Sequence, residues 1–124
     1  MNVTNALAVA MRAVSARPDR AATALLHDSE DARFVVFRIG PNQSVPPHRN
    51  ASSVTLVVLD GMGIVSGASG ERIVARGDLV TYEPNEIHGM RAASGTFELL
   101  AIIAPRQRAE SVARSRQLER AGSR

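Results

Sequence analysis

At 124 residues, the chain has the length of one domain, which is enough to bury a core of its own. Hydrophobic residues make up 44% of the chain but aromatic residues only 3%, so the core must be built from Val, Ile, Leu and Ala. All fifteen basic residues are Arg, and a net charge of only +3 argues against a protein whose main partner is nucleic acid.

Targeting and redox signals are sparse. No apolar run approaches the roughly 20 residues that a membrane helix needs. The N-terminal stretch carries Arg12 inside its apolar pattern and does not read as a signal peptide. The absence of Cys excludes disulfides and thiolate chemistry. We therefore expect a cytoplasmic protein without a membrane partner.

The first predicted element is a helix, which forms an N-terminal extension over residues 1–18. Thr4 can cap it, it runs from Asn5 to about Arg17, and Pro18 stops it. Its apolar positions follow the i, i+4, i+7 spacing of a narrow stripe, formed by Leu7, Met11 and Val14.

Residues 19–105 then change to short β-type runs separated by Gly, Pro, Asn and Asp. The predicted strands are 22–27, 34–39, 54–59, 63–66, 72–75, 79–83, 87–92 and 97–103. Gly67–Gly70 and Ser94-Gly95 are read as hairpin tips. Many short strands with regular turns favour an all-β sandwich or barrel over βαβ units.

The C-terminal tail, residues 106–124, is polar and rich in Arg. It is predicted to be a helix docked by few contacts, or frayed. An anionic partner is one use for such a tail, but it lacks the interleaved aromatic residues that stack on bases. A solvated or dimer-edge helix is the preferred interpretation.

Two stretches carry most of the chemical information. The first runs from Gly40 to Gly61 and contains His48; the second runs from Gly77 to Gly89 and contains His88. A strand sends alternate side chains to one face, so His48 and Asn50 point together if their segment is extended. Two imidazoles from different strands can bind a divalent metal inside a barrel.

These stretches resemble the paired motifs of the cupin family, G-x5-H-x-H-x3,4-E-x6-G and G-x5-P-x-G-x2-H-x3-N. The likeness covers roughly residues 34–105 and rests on both motifs together. It implies an antiparallel jelly-roll β-barrel, or double-stranded β-helix, with its site inside and with short helical extensions at both ends.

The departures from the motifs matter for function. His48 and His88 match family histidines, but Asn50 stands where the pattern has its second His, and Val54 where it has Glu. Ala92 replaces the terminal Asn. The family's ligand set of three His and one Glu is therefore half present.

Three roles are open to His48 and His88. They can be metal ligands with Asn50 as a weak third, for Zn, Fe, Ni or Mn; they can line a ligand pocket, the preferred interpretation; or they can be purely structural. The pocket is expected to be lined by His48, Asn50, Val54, Tyr82, His88, Met90 and Phe97.

The leading function is therefore a small-molecule binding or sensing barrel with a degraded metal site. The alternatives are a metal-dependent cupin enzyme of the dioxygenase or isomerase type using His48 and His88, and an interaction protein acting through its helical extensions. The resemblance also implies a homodimer. Independently, the edge strands of an open barrel must be covered. No catalytic residue is assigned.

Overall fold

The structure is a computed structural model that describes residues 1–106. One short helix is followed by seven strands. They are α1 (Ala6–Arg12), β1 (Ala22–Asp28), β2 (Arg33–Ile39), β3 (Ser44–His48), β4 (Ser53–Gly67), β5 (Gly70–Ala75), β6 (Leu79–Tyr82) and β7 (His88–Ala104). All pairings between these strands are antiparallel, which confirms the predicted all-β, cupin-type barrel.

The barrel is organised around two long strands, β4 and β7, which pair with each other along most of their length. The first half of β4 also pairs with β6 and its second half with β5. The first half of β7 also pairs with β3 and its second half with β2, which in turn pairs with β1. Each long strand therefore contributes to both walls of the barrel.

Both long strands change direction where their register slips. The β4–β7 register shifts on both sides of Asp60, and Gly61 there has a φ of +81°. Gly95 has a φ of +63° inside β7. Left-handed backbone suits Gly, and bulges of this kind let one strand pass from one wall to the next. Ser94-Gly95 is thus a bend within β7, and the prediction of a hairpin tip there was wrong.

The core fills the space between the walls mainly with aliphatic side chains and one fully buried phenylalanine. Leu56 of β4 and Phe97 and Leu99 of β7 are almost completely buried. Ile39 at the end of β2 joins them. Strand alternation explains this set, because Leu56 and the Val residues two positions to either side of it are all buried.

The N-terminal helix differs from its prediction in both bounds. It begins after Asn5, whose Oδ1 accepts the Ala8 N–H at 2.9 Å, so Asn5 and not Thr4 is the cap. It ends at Arg12, five residues before the predicted end. The helix packs on β1, β2 and β7 through Ala10, which is fully buried. Met11 stays 55% exposed and Val14, beyond the helix, 87% exposed.

The other turns follow their sequence signals. Gly67 pairs with Gly70 across a two-residue turn, as predicted for this hairpin.

The strand Ser44–His48 was not predicted, because Pro46 and Pro47 lack the N–H that strand pairing uses. Among the named strands it pairs with β7, and a parallel bridge joins Ser44 to Arg20; Pro46 and Pro47 lie at this edge, where Pro is tolerated. The C-terminal helical extension predicted over 106–124 lies outside the described residues except for Arg106.

Candidate functional site

The two motif histidines lie side by side. His48 ends β3 and His88 begins β7, and they are opposite one another in the pairing of these strands. Their ring centroids are 4.2 Å apart with an interplanar angle of 56°. His88 is only 3% exposed, whereas His48 is exposed. The pair therefore connects the barrel interior with the surface.

Both imidazoles are oriented by the same backbone contact. Nδ1 of His48 lies 3.0 Å from the carbonyl oxygen of Pro46, and Nδ1 of His88 lies 3.0 Å from that of Glu86. A carbonyl oxygen only accepts, so each Nδ1 carries a proton. In the neutral form of either ring, Nε2 then keeps its lone pair for a ligand.

Tyr82, at the end of β6, covers the other face of His88. The rings stack with centroids 4.7 Å apart and an interplanar angle of 27°. The phenol hydroxyl donates to the carbonyl oxygen of Ser66 at 2.8 Å. Burial, and secondarily the charge of Glu86, raises the pKa of Tyr82 to about 12. The phenol stays protonated with its hydrogen engaged, so its oxygen can only accept a further hydrogen bond.

His88 is held as a neutral ring. Burial lowers the pKa of its imidazole, and the neighbouring His48 lowers it further. The hydrogen bond to the Glu86 carbonyl and the charge of the Glu86 carboxylate raise this pKa, but by less than burial and His48 lower it. At neutral pH the buried imidazole is therefore an acceptor at Nε2.

Asn50, expected beside His48, does not continue its strand. Strand β3 ends at His48. The side-chain Oδ1 atom of Asn50 accepts the Ser52 N–H at 2.9 Å. The backbone carbonyl oxygen of Asn50 accepts the Asn85 N–H at 2.7 Å. The amide oxygen thus closes a local turn, as short Asn side chains commonly do. The alternation that would place Asn50 beside His48 does not apply there.

The apolar residues expected around the site are all in the core. Val54 is 3% exposed and lies opposite Tyr82 in the pairing of β4 with β6. Met90 is 5% exposed and follows His88 by two positions on β7. Phe97 is fully buried and packs against Gly63, in the opposite wall of the barrel.

Glu86 has a role that the sequence did not reveal. Its Oε2 accepts the Ala68 N–H at 3.0 Å and its Oε1 accepts the Glu83 N–H at 3.1 Å. These bonds lower the pKa of the carboxyl group, which stays charged. The side chain ties the β4–β5 turn to the β6–β7 loop, two residues before His88.

A groove of about 400 Å³ opens between β5 and β6, and Tyr82 and Glu86 form part of its lining. Tyr82 therefore belongs both to this groove and to the histidine pair. Arg72 of β5 also lines the groove. Sequence reasoning missed Arg72, which is exposed but lies two positions from the buried Val74 and so on the same face of β5.

The family's metal chemistry fits these residues poorly. The histidine pair supplies two imidazole nitrogens, the Asn50 oxygen is engaged by Ser52, and Val54 has no donor atom. Within residues 1–106, no group of three or more His, Asp or Glu side chains could hold a metal ion. Protein metal sites generally use three or four protein ligands. We therefore derive no chemical step through a metal.

The class of protein follows from this geometry: a small antiparallel barrel with a histidine-lined site at the junction of its motif strands. A sequence model of the cupin domain matches residues 23–103, which is more than half of the chain. The chain belongs to the cupin family. Membership supports, in general terms, a barrel that binds a small molecule or a metal.

Solved structures agree on the fold. A crystal structure of an RmlC-like cupin protein from Desulfovibrio desulfuricans is 29% identical, with a TM-score of 0.69, and the match covers 85% of this chain and 97% of that one. A protein from Thermus thermophilus is 24% identical over 86% of this chain and 100% of its own, with a TM-score of 0.73.

KdgF from Halomonas sp. is 17% identical, with a TM-score of 0.65 and coverage of 77% and 86%. The last two likenesses, at these identities, show the fold alone. A search of curated proteins finds no match. Across residues 1–106, none of the helical structure has the length and apolar character needed to cross a membrane.

Proposed function

We propose that this chain is a cupin barrel that binds a small molecule at the His48–His88 pair, in a binding or sensing role. One observation carries the proposal: the rings are 4.2 Å apart, and both have Nδ1 committed to a backbone carbonyl. Fixed tautomers on a buried and an exposed ring make a prearranged recognition surface that extends from the interior to solvent.

The chemistry of the site favours a ligand that donates hydrogen bonds. Nε2 of each histidine and the Tyr82 oxygen are acceptors. The stacked faces of Tyr82 and His88 give the site a rigid wall. Hydroxyl, amine and amide N–H groups satisfy this set, whereas a ligand with acceptors alone would leave buried atoms unpaired.

Ligand-observed NMR against a set of small hydroxyl and amine compounds tests this proposal. We expect compounds whose saturation-transfer signal is present with wild type and lost in His88→Ala. His27→Ala is the matched control, because His27 is exposed and contacts Phe34, away from the site. If every bound compound keeps its signal in His88→Ala, the proposal is wrong.

A second candidate, a metal-dependent enzyme of the dioxygenase or isomerase type, is favoured by one feature. The Nδ1–H contact to a backbone carbonyl is the arrangement that orients histidines for metal binding through Nε2. The two-ligand set counts against it, and metal titration separates the two candidates. The described part of the chain offers no third imidazole or carboxylate ligand for such a site.

We also propose that the protein is a homodimer. The exposed side chains of Met11 and Val14 support this, since they form an apolar surface next to the docked helix.

A further inference from the structure

The groove between β5 and β6 contains charges of both signs that do not pair with each other. Arg72 lines it together with Asp78 and Glu86. The guanidinium of Arg72 makes no hydrogen bond or ion pair with any of residues 1–106. By contrast, Arg91 of β7, which does not line the groove, forms an ion pair with Glu71 at 2.8 Å.

Local backbone contacts hold the two carboxylates in place. Oδ2 of Asp78 accepts the Ala75 N–H at 2.8 Å, and Glu86 accepts the Ala68 and Glu83 N–H groups. These turns fix both carboxylates apart from the guanidinium. A carboxylate has about four acceptor positions, so both groups keep capacity for a ligand.

Aliphatic side chains also line the groove, beside the hydroxyl groups of Ser66, Ser69 and Thr81. Val65 and Val74 are buried beneath it, and Val80 is half-buried on the opposite wall. A ligand that fills the groove therefore meets an aliphatic patch, hydroxyl groups, one cation and two carboxylates. The formal charge of the three ionised side chains is −1, from one Arg against one Asp and one Glu, which disfavours a dianion such as phosphate.

We infer that the groove binds a small zwitterion with an aliphatic body, of the class of the aliphatic amino acids. The ligand carboxylate pairs with Arg72, the ammonium group with Glu86 and the Tyr82 oxygen, and the aliphatic part with the three valines. The guanidinium fork matches a carboxylate through two parallel hydrogen bonds. The inference rests on the proposed function, because the Tyr82 side chain lines the groove and also stacks on His88.

Three related probes test the two charged groups of the ligand one at a time. They are L-leucine, L-leucinamide, which lacks the carboxylate, and N-acetyl-L-leucine, which lacks the ammonium group. In NMR titrations of the full chain, we expect leucine to shift the amide signals of β5 and β6. Each derivative should bind about tenfold more weakly, the loss expected for one charge-assisted contact.

Measuring leucine and leucinamide with wild type and Arg72→Gln tests whether the ligand carboxylate pairs with Arg72. Arg72→Gln should weaken leucine about tenfold but leave leucinamide unchanged, since the interaction has already been removed from that ligand. Arg76→Gln is the matched control: it removes the same charge four residues away, from an exposed position that does not line the groove. It should alter neither affinity.

Several outcomes would overturn the inference. These are equal binding of leucine and leucinamide to wild type, equal effects of Arg72→Gln and Arg76→Gln, phosphate binding as tight as leucine, and no binding by any of the three probes. Leucine binding that depends on His88 but not on Arg72 would also overturn it, while leaving the proposed function intact. Leucine binding that depends on Arg72 but not on His88 would support the inference and count against the histidine-centred site.

Discussion

His48 and His88 are opposite one another across β3 and β7, and each directs Nδ1 to the carbonyl oxygen two residues before it. The shared contact gives two rings from different motifs the same tautomer. His88 also stacks on Tyr82, and the described residues provide no third ligand. The two imidazoles suit hydrogen bonding to a small molecule better than coordination of a metal.

Metal titration distinguishes these uses. We expect metal-stripped wild type to bind Ni, Zn, Fe(II) and Mn more weakly than a dissociation constant of about 1 μM in calorimetry, because two imidazoles form an incomplete set. Val54→Glu should tighten binding by about tenfold or more by adding a carboxylate ligand, whereas Asn50→His should add little, because position 50 lies beyond the end of β3 in a local turn with Ser52. Val54 is buried opposite Tyr82, so a carboxylate there enters the interior.

The single variants His48→Ala and His88→Ala are the controls for this experiment. A sub-micromolar constant in wild type that disappears in both would contradict the preferred interpretation and place a metalloenzyme first.

Gly63 is predicted to be intolerant of a side chain. A Cβ atom there would lie 2.1 Å from Cε2 of Phe97, which is fully buried between the walls. Gly63→Ala should therefore lower the free energy of unfolding by about 3 kcal/mol in chemical denaturation, through overpacking. Gly40→Ala is the control, since its Cβ would meet only the flexible end of Gln43 at 3.2 Å. Equal losses in the two variants would show that Phe97 can move aside.

Much of the fold could be predicted because strand alternation and turn residues act locally. The runs at 34–39 and 97–103 fall inside β2 and β7, and Gly67–Gly70 forms its expected turn. The length of β4 and β7 could not be predicted in this way. Gly61 and Gly95 look like turn positions in the sequence. In the structure they lie inside continuous strands, because β4 and β7 stay paired with neighbouring strands on both sides of these bends.

The candidate site could be predicted only in part. Motif spacing identified His48 and His88, and the barrel brings them together. Asn50 was expected to follow alternation, but its side chain can form a turn with Ser52, and a local hydrogen bond prevails where the strand ends. Arg72 and Glu86 lie outside the ligand positions of both motifs. Their placement depends on which strands border the groove, and spacing within one segment does not specify this.

The proposed homodimer gives a direct test of the N-terminal surface. We expect light scattering at micromolar concentration to give the mass of two chains. Met11→Glu with Val14→Glu should shift the mass towards one chain, because it places charges on an exposed apolar surface. Val3→Glu, at another exposed apolar position before the helix, is the control. A monomeric wild type would contradict the homodimer proposal.

Glu98 gives the last prediction, which concerns pH. Its side chain is 7% exposed, and its Oε2 has no hydrogen-bond partner among the described residues. Its neighbours in the pairing with β2 and β4 are Arg38 and Asp60, and Arg38 also donates to the Met11 carbonyl at the end of α1. Burial raises the pKa of Glu98, Asp60 raises it further, and Arg38 opposes both.

The raised pKa fixes the sign of the pH dependence. Between the ordinary Glu value of 4.5 and the raised pKa of the folded state, the folded protein retains a proton that the unfolded chain has released. The contribution of Glu98 to the free energy of unfolding is therefore most favourable below that value and is lost as pH rises through the folded pKa. Glu98→Gln should stabilise the protein by about 1 kcal/mol near pH 7 in urea unfolding, and the gain should shrink towards about pH 4. Glu83→Gln, at an exposed position, should give no such trend. A Glu98→Gln variant less stable than wild type near pH 7 would mean that Arg38 pairs with a charged Glu98 strongly enough to outweigh its burial.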